Sequence, residues 1–210
     1  PGMGKSELIN PYKIDDLISK INKSIPKKIT IIGWSLGGQI AMKYYLKYPK
    51  SVNSLVCISS TPCFIKKPGW DFGVSINFFS KFKKELLNNW QKTLSKFFLL
   101  QIKEDEEKKN ILKKLENSFM NKQPPNKKGL EKTLEILEEM DIRNDIKNIN
   151  IPTLIISGKK DAISNYKASI WMHSQIKESK IFLFDSAGHI PFVNYQRKCV
   201  ELVEEFLGTG

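Results

Sequence analysis

A serine between two glycines is the residue pattern in this sequence that most clearly suggests catalytic chemistry. Residues 33–37 read GWSLG, which is the pattern Gly-x-Ser-x-Gly. The β-branched apolar run at 28–33 predicts a buried strand before the serine, and the segment 36–48 predicts a helix after it. A serine in such a strand–turn–helix is held above the end of the strand, so we predict that Ser35 is a nucleophile. The alternative is a glycine-rich turn with a capping serine.

The same tight turn predicts roles for the neighbours of Ser35. The flanking positions, Gly33 and Gly37, are expected to require small residues because the turn leaves little room. The predicted helix begins directly after the serine. The backbone N–H of Leu36 and the helix dipole would therefore face an oxyanion that forms there.

A serine nucleophile needs a general base, and the chain has only two histidines. His189 lies in a predicted loop between a strand and the last helix, from which its ring could reach over the sheet edge. His173 lies in the middle of a predicted helix and is interpreted as a surface or partly buried residue. The base in turn needs an acid to orient it. Asp161 follows a predicted strand, Asp185 lies four residues before His189, and both are candidates.

The elements that must position these residues alternate between strand and helix. Apolar runs predict strands at 28–33, 53–58, 153–157 and 180–184, and helical periodicity predicts helices at 12–22, 36–48, 165–177 and 192–207. This order is typical of parallel strands joined by right-handed crossovers. The segment 65–140 is instead helical, charged and aromatic at its apolar positions, and it is long for a connection. We predict an α/β core formed by residues 1–64 and 141–210, interrupted by a helical cap at 65–140.

Composition narrows the function classes. The chain has 210 residues, 40% of them apolar, and a formal net charge of +12. All basic residues except Arg143 and Arg197 are lysine, so we interpret the charge as a composition bias and predict no nucleic-acid partner. No apolar run reaches the ~18 residues of a membrane span, and no secretory signal is visible. Three cysteines predict a reducing, cytoplasmic location rather than a disulfide scaffold.

Several segments together resemble a known family. GWSLGG at 33–38, GKKDAI at 158–163 and SAGHIPF at 186–192 resemble the serine α/β-hydrolases, and PGMGKS at 1–6 resembles the loop after their fourth strand. More narrowly, GWSLGGQIA, SSTPCF at 59–64, KFFLLQ at 96–101 and TLEILEEMDIRNDI at 133–146 resemble the carboxylesterases that act on the methyl ester of pimeloyl-acyl carrier protein in biotin biosynthesis. The resemblance runs from Pro1 to about Leu207.

The resemblance implies an α/β-hydrolase fold, with a mostly parallel sheet flanked by helices and an inserted helical cap. The family's chain order of serine, acid and histidine favours Asp161 over Asp185 as the residue that orients His189. It also implies two sets of binding residues. The pocket for the substrate's acyl chain would be lined by Trp34, Phe97, Phe98, Leu99, Leu100 and Gln101. An acidic carrier protein would dock on Lys92, Lys96, Lys109 and Lys113, in two pairs that each share a helix face.

The family's early strands and its His-Gly loop, which supplies a second oxyanion donor, have no counterpart in these residues. We therefore expect either a partial chain or a decayed copy. The function expected is that of a monomeric serine carboxylesterase acting on pimeloyl-acyl carrier protein methyl ester, without metal or organic cofactor. Two alternatives stay open. One is another hydrolase of the family, such as a lipase-like esterase or a carbon–carbon bond hydrolase, and the other is a non-catalytic remnant.

Overall fold

A four-stranded parallel sheet forms the centre of the computed structural model, which describes residues 1–100, 113, 117 and 125–208 without the side chains at 98, 100 and 194. The strands follow the chain order across the sheet: β1 (Ile29–Trp34), β2 (Val52–Ile58), β3 (Thr153–Gly158) and β4 (Ser179–Phe184). All three strand pairings are parallel. The predicted strands and their parallel arrangement are thus confirmed.

Helices precede, separate and follow these strands. Their bounds are α1 (Ile14–Ser24), α2 (Leu36–Lys47), α3 (Ile76–Asn88), α4 (Trp90–Leu100), α5 (Lys127–Glu139), α6 (Tyr166–Gln175), α7 (Pro191–Asn194) and α8 (Gln196–Leu207), with short 3-10 turns at Pro49–Ser51 and Ile146–Asn148. Among the described residues, no helix has both the length and the apolar character needed to cross a lipid bilayer.

The two faces of the sheet carry separate apolar clusters. Successive side chains of a strand point to opposite faces. Leu55 and Cys57 of β2 accordingly pack with Met42 of α2, whereas Val56 and Ile58 pack on the side of α8. Helices therefore cover both faces of the sheet, which is the layering expected of an α/β fold.

The strand predicted to be buried at 28–33 is β1, which is only partly buried in the part of the chain that the structure describes. It pairs there with β2, and Ile32 is 54% exposed. Strands β2 and β3 are almost entirely buried.

The closing helix predicted at 192–207 is two helices. The chain leaves helical geometry at Tyr195, which has φ −137° and ψ 48°. Its ring stacks on Phe184 of β4, with ring centroids 4.7 Å apart and planes 19° from parallel. This ring contact accompanies a break that the continuous apolar periodicity did not predict.

The three helices that the structure describes between β2 and β3, hereafter the cap helices α3–α5, share an apolar cluster of their own. Phe79 and Leu86 of α3 meet Leu134 of α5 in it. Ile136, two residues after Leu134 and on another face of α5, packs on the main core. Helix α5 therefore joins the cap helices to the sheet layer. The domain boundaries at 64 and 140 stay predictions.

The three cysteines, Cys57, Cys63 and Cys199, are buried free thiols. Burial raises the pKa of Cys57 to about 12 and that of Cys199 to about 11, so both thiols are protonated near neutral pH.

Candidate active site

Ser35 occupies a strained turn between β1 and α2. Its φ of 54° and ψ of −122° lie in a region that non-glycine residues rarely adopt. Two contacts hold the backbone in this conformation. The Ser35 N–H donates to the carbonyl of Ile58 at 2.9 Å, and the hydroxyl of Ser60 donates to the carbonyl of Ser35 at 2.8 Å. The end of β2 thus supports the turn at the end of β1.

The glycines that the turn requires are Gly33 and Gly38. A Cβ on Gly33 would lie 2.5 Å from the Cα of Gly38, and one on Gly38 would lie 2.7 Å from the Cβ of Ser60. Gly37 has open space around its Cα, so the expectation that this position must be small is wrong. The turn is tight where the helix crosses back over β1, one residue later than the Gly-x-Ser-x-Gly pattern indicates.

The three predicted side chains form a continuous hydrogen-bonded chain. His189 Nε2 lies 2.9 Å from Ser35 Oγ, and His189 Nδ1 lies 2.7 Å from Asp161 Oδ2. The other carboxylate oxygen, Oδ1, accepts from the backbone N–H groups of Ile163 and Ser164, at 2.8 Å each. An ionised carboxylate only accepts hydrogen bonds, so Nδ1 donates to Asp161 and Nε2 accepts from the serine hydroxyl.

The imidazole and the carboxylate are shielded from solvent. The side chain of His189 is 1% exposed and that of Asp161 is 0% exposed. Trp34 lies beside the histidine and donates from its indole N–H to the His189 carbonyl at 2.8 Å. The Phe97 ring of α4 meets the imidazole edge to face, with centroids 5.8 Å apart. Aromatic rings from the core and from a cap helix therefore enclose the His189 imidazole.

The loops that carry Asp161 and His189 touch one another at Gly158, the last residue of β3. A Cβ at this position would collide with the carbonyl oxygen of Ala187, two residues before the histidine. Lys160 N–H donates to that same carbonyl at 3.0 Å. Sequence reasoning missed this contact, although Gly158 opens the GKKDAI segment.

Asp185 and His173, the alternative acid and the second histidine, have other partners. The carboxylate of Asp185 is 81% exposed and pairs with Lys159 at 2.6 Å. The hydrogen bond from Lys159 lowers the pKa of that carboxyl. His173 bonds through Nδ1 to the hydroxyl of Ser179 at 2.8 Å on the exposed side of α6. Neither residue is part of the hydrogen-bonded chain at Ser35.

The predicted oxyanion donor, Leu36, is the first residue of α2. The first N–H groups of an α-helix have no partner within the helix, so the N–H of Leu36 remains available for an acceptor beside Ser35. Among the described residues, no group of three or more His, Cys, Asp or Glu side chains is arranged to hold a metal ion.

Only part of the predicted binding set can be placed. Trp34 and Phe97 contact His189, whereas Leu99 is 58% exposed. Three predictions lie outside what the structure describes: the side chains of Phe98 and Leu100, and all of Gln101. Of the predicted docking lysines, Lys92, Lys96 and Lys113 are exposed, and Lys109 lies outside the described residues.

Comparison with known proteins agrees with the fold. A family model described as the alpha/beta hydrolase fold matches residues 14–194. The chain is 32% identical over 200 residues to a pimeloyl-acyl carrier protein methyl ester esterase from Nitrosomonas europaea, covering 95% of this chain and 79% of that protein. It is 35% identical over 209 residues to a protein of the same name from Wigglesworthia glossinidia brevipalpis, covering 99% and 80%.

Solved structures show the same fold. An esterase from Exiguobacterium antarcticum superposes with a TM-score of 0.87 at 24% identity, over 99% of this chain and 78% of that one. A bromoperoxidase from Bacillus anthracis superposes with a TM-score of 0.86 at 22% identity, over 99% and 79%. Taken with the family match and the esterase relatives, this parallel sheet identifies the chain as a member of the α/β-hydrolase family and a carboxylic ester hydrolase.

Proposed function

We propose that the protein hydrolyses the methyl ester of pimeloyl-acyl carrier protein through an acyl-enzyme on Ser35. The observation that carries the catalytic part is the hydrogen-bonded chain from Ser35 through His189 to Asp161. The choice of substrate is supported by the two relatives named for that reaction. Three buried thiols suit a reducing compartment, and we propose a cytoplasmic location.

In the first half of the reaction, Ser35 Oγ attacks the ester carbonyl carbon and its proton passes to His189 Nε2. The resulting imidazolium is stabilised by the carboxylate of Asp161, which also keeps the ring oriented. Negative charge on the former carbonyl oxygen is stabilised by the N–H of Leu36 and the α2 dipole. When the intermediate collapses, the carbon–oxygen bond to methoxide breaks. Nε2 returns its proton to that oxygen, and methanol leaves.

In the second half, water replaces the alcohol. Nε2 takes a proton from the water as its oxygen attacks the acyl-enzyme carbonyl. Collapse of this second intermediate breaks the bond to Ser35 Oγ, which recovers the proton from Nε2. The products are methanol and a free carboxylate on the carrier-bound chain. The overall reaction consumes one water molecule and involves no oxidation or reduction.

The acyl chain would lie against the rings beside the base. Trp34 and Phe97 both face His189, at centroid distances of 5.4 Å and 5.8 Å. An apolar methylene chain gains from such contact, at ~0.8 kcal/mol for each buried methylene. Phe97 belongs to α4, so the cap helices would contribute to the selection of the acyl chain.

The test compares two substrates and one variant. The protein should hydrolyse methyl-pimeloyl-acyl carrier protein, with release of methanol, and also a small ester such as p-nitrophenyl butyrate. Ser35→Ala should lower kcat for both by at least about 10⁴, as expected for loss of a triad serine, with unchanged far-UV circular dichroism. A variant within tenfold of wild type would exclude Ser35 as the nucleophile. Turnover of the small ester alone would leave an esterase and refute the carrier-bound substrate.

A further inference from the structure

The chain passes between the sheet and the cap helices at two crossings that lie side by side. The first crossing, residues 62–74, follows β2, and the second, residues 139–143, follows α5. An isolated antiparallel bridge pairs Cys63 of the first with Asp141 of the second. Beside it, the N–H of Ile142 donates to the carbonyl of Pro62 at 3.0 Å. The two crossings are therefore in direct backbone contact.

A charged cluster joins the crossings a second time. Arg143 donates two parallel hydrogen bonds to the Asp141 carboxylate, from Nε to Oδ1 and from Nη2 to Oδ2, each 2.8 Å long. Its Nη1 also donates to the carbonyl of Pro68 at 3.3 Å. Lys67 Nζ lies 3.6 Å from Asp141 Oδ2 and donates to the carbonyl of Glu139 at 3.2 Å. The hydrogen bond from Arg143 lowers the pKa of the Asp141 carboxyl, so the cluster stays charged at neutral pH.

Trp70 connects this cluster to the sheet layer. The Arg143 guanidinium lies 5.6 Å from the centroid of the Trp70 ring. The indole N–H donates to the carbonyl of Cys63 at 2.8 Å, and the residue is only 2% exposed. The ring meets Trp171 of α6 edge to face, with centroids 5.1 Å apart. A core helix therefore packs against the side chain that the arginine contacts.

The first crossing reaches the acid of the candidate triad. Its residues Phe64 and Ile65 share the apolar cluster of the cap helices with Ile163. The N–H of Ile163 donates to Asp161 Oδ1 at 2.8 Å. A shift of the first crossing would accordingly disturb the packing of the loop that holds the carboxylate.

The second crossing reaches the helix of the nucleophile. Gln39 lies on α2, four residues after Ser35, and its amide donates to the carbonyl of Met140 at 3.4 Å. Gln39 is 1% exposed, so this contact is buried. Together, the crossings contact the loop that carries Asp161 and the helix that follows Ser35.

We propose that Lys67, Trp70, Asp141 and Arg143 form a latch that positions the cap helices over the catalytic site and thereby sets selectivity for the acyl chain. The proposal rests on the esterase function proposed above. These are positioning residues, since none of them contacts Ser35, His189 or Asp161 in the described contacts. The predicted consequence runs through Phe97, which α4 places against the imidazole. Loosening the latch would displace this ring, which a long acyl chain needs and a short one does not.

The test measures acyl-chain selectivity with p-nitrophenyl hexanoate and p-nitrophenyl acetate. Arg143→Ala should lower kcat/KM for the hexanoate by roughly tenfold, mainly through KM, and change that for the acetate less than about twofold. Arg143→Lys keeps one charge but loses the fork, so its selectivity should fall between wild type and Arg143→Ala. The matched control is Arg197→Ala, which removes an arginine paired with Glu201 on the exposed side of α8 and should leave both substrates unchanged.

A second measurement does not depend on activity. In Arg143→Ala, amide hydrogen exchange should become faster in α3 and α4 while β2 and β3 keep their protection. An equal loss on both esters, with faster exchange throughout, would reduce the cluster to a general stabilising role and overturn the proposal. Unchanged selectivity and exchange would overturn it as well. If Arg143→Ala does not fold, the same criteria apply to Arg143→Lys. Failure of the wild type to hydrolyse any ester would refute the proposed function. The amide hydrogen exchange of Arg143→Ala would then be the test of whether the latch positions the cap helices.

Discussion

Replacing Asp161 with asparagine should change the tautomer of His189 while leaving the shape of the site intact. In the wild type, Oδ2 accepts from His189 Nδ1 at 2.7 Å, and Oδ1 accepts from two backbone N–H groups at 2.8 Å each. An asparagine has only one acceptor oxygen. If that oxygen stays with the two backbone donors, the amide NH₂ faces Nδ1.

The alternative orientation of the asparagine is much less favourable. It would place the NH₂ against the N–H groups of Ile163 and Ser164 and leave both without an acceptor, at ~1–3 kcal/mol each. The amide therefore donates to Nδ1, and the ring proton moves to Nε2. A protonated Nε2 in a neutral ring cannot accept the proton of Ser35. The expected loss in kcat is on the order of 10⁴, which is about 5.4 kcal/mol of transition-state stabilisation.

The assay is hydrolysis of p-nitrophenyl butyrate by wild type, Asp161→Asn and Asp185→Asn, with thermal unfolding as a check on the fold. Asp185→Asn is the matched control because its carboxylate is exposed and paired with Lys159. It should stay close to wild type in kcat. Activity of Asp161→Asn within tenfold of wild type would contradict the tautomer argument. A larger loss in Asp185→Asn than in Asp161→Asn would reverse the assignment of the acid.

Two further predictions concern the turn and the docking surface. Gly38→Ala should lower the free energy of unfolding by about 2 kcal/mol because its Cβ would push on Ser60, which supports the Ser35 carbonyl. Gly37→Ala adds a Cβ in open space, so this variant should unfold at the wild-type temperature or slightly above. Equal melting temperatures for the two variants would refute the steric argument. Reversing the exposed Lys92 and Lys96 to glutamate should raise KM for the carrier-bound ester about tenfold, less at high salt, and leave p-nitrophenyl butyrate unchanged. Reversal of the exposed Lys20 and Lys23 on α1 is the matched control, and an equal effect from that pair would assign the result to net charge alone.

Local patterns predicted the four strands and most of the flanking helices, and they singled out two residues of the candidate site. The apolar run before Ser35 and the periodicity after it predicted β1 and α2 to within a residue or two, because both signals depend on neighbours along the chain. His189 was identified because it is one of only two histidines and lies in a loop after a strand. The resemblance to esterases then favoured Asp161, a choice that spacing alone left open.

The sequence by itself thus determined the alternation of strands and helices, the serine turn and the family. The tertiary structure decided which carboxylate meets the histidine, since Lys159 holds Asp185 in solvent while two backbone N–H groups direct Asp161 inward. It decided that Gly38 rather than Gly37 is the crowded glycine, and that the closing helix breaks at Tyr195, whose ring stacks on Phe184. The physical reason is common to all three. Periodicity and propensity act between residues near in sequence, whereas contact, register and side-chain direction depend on segments that meet only after the chain has folded.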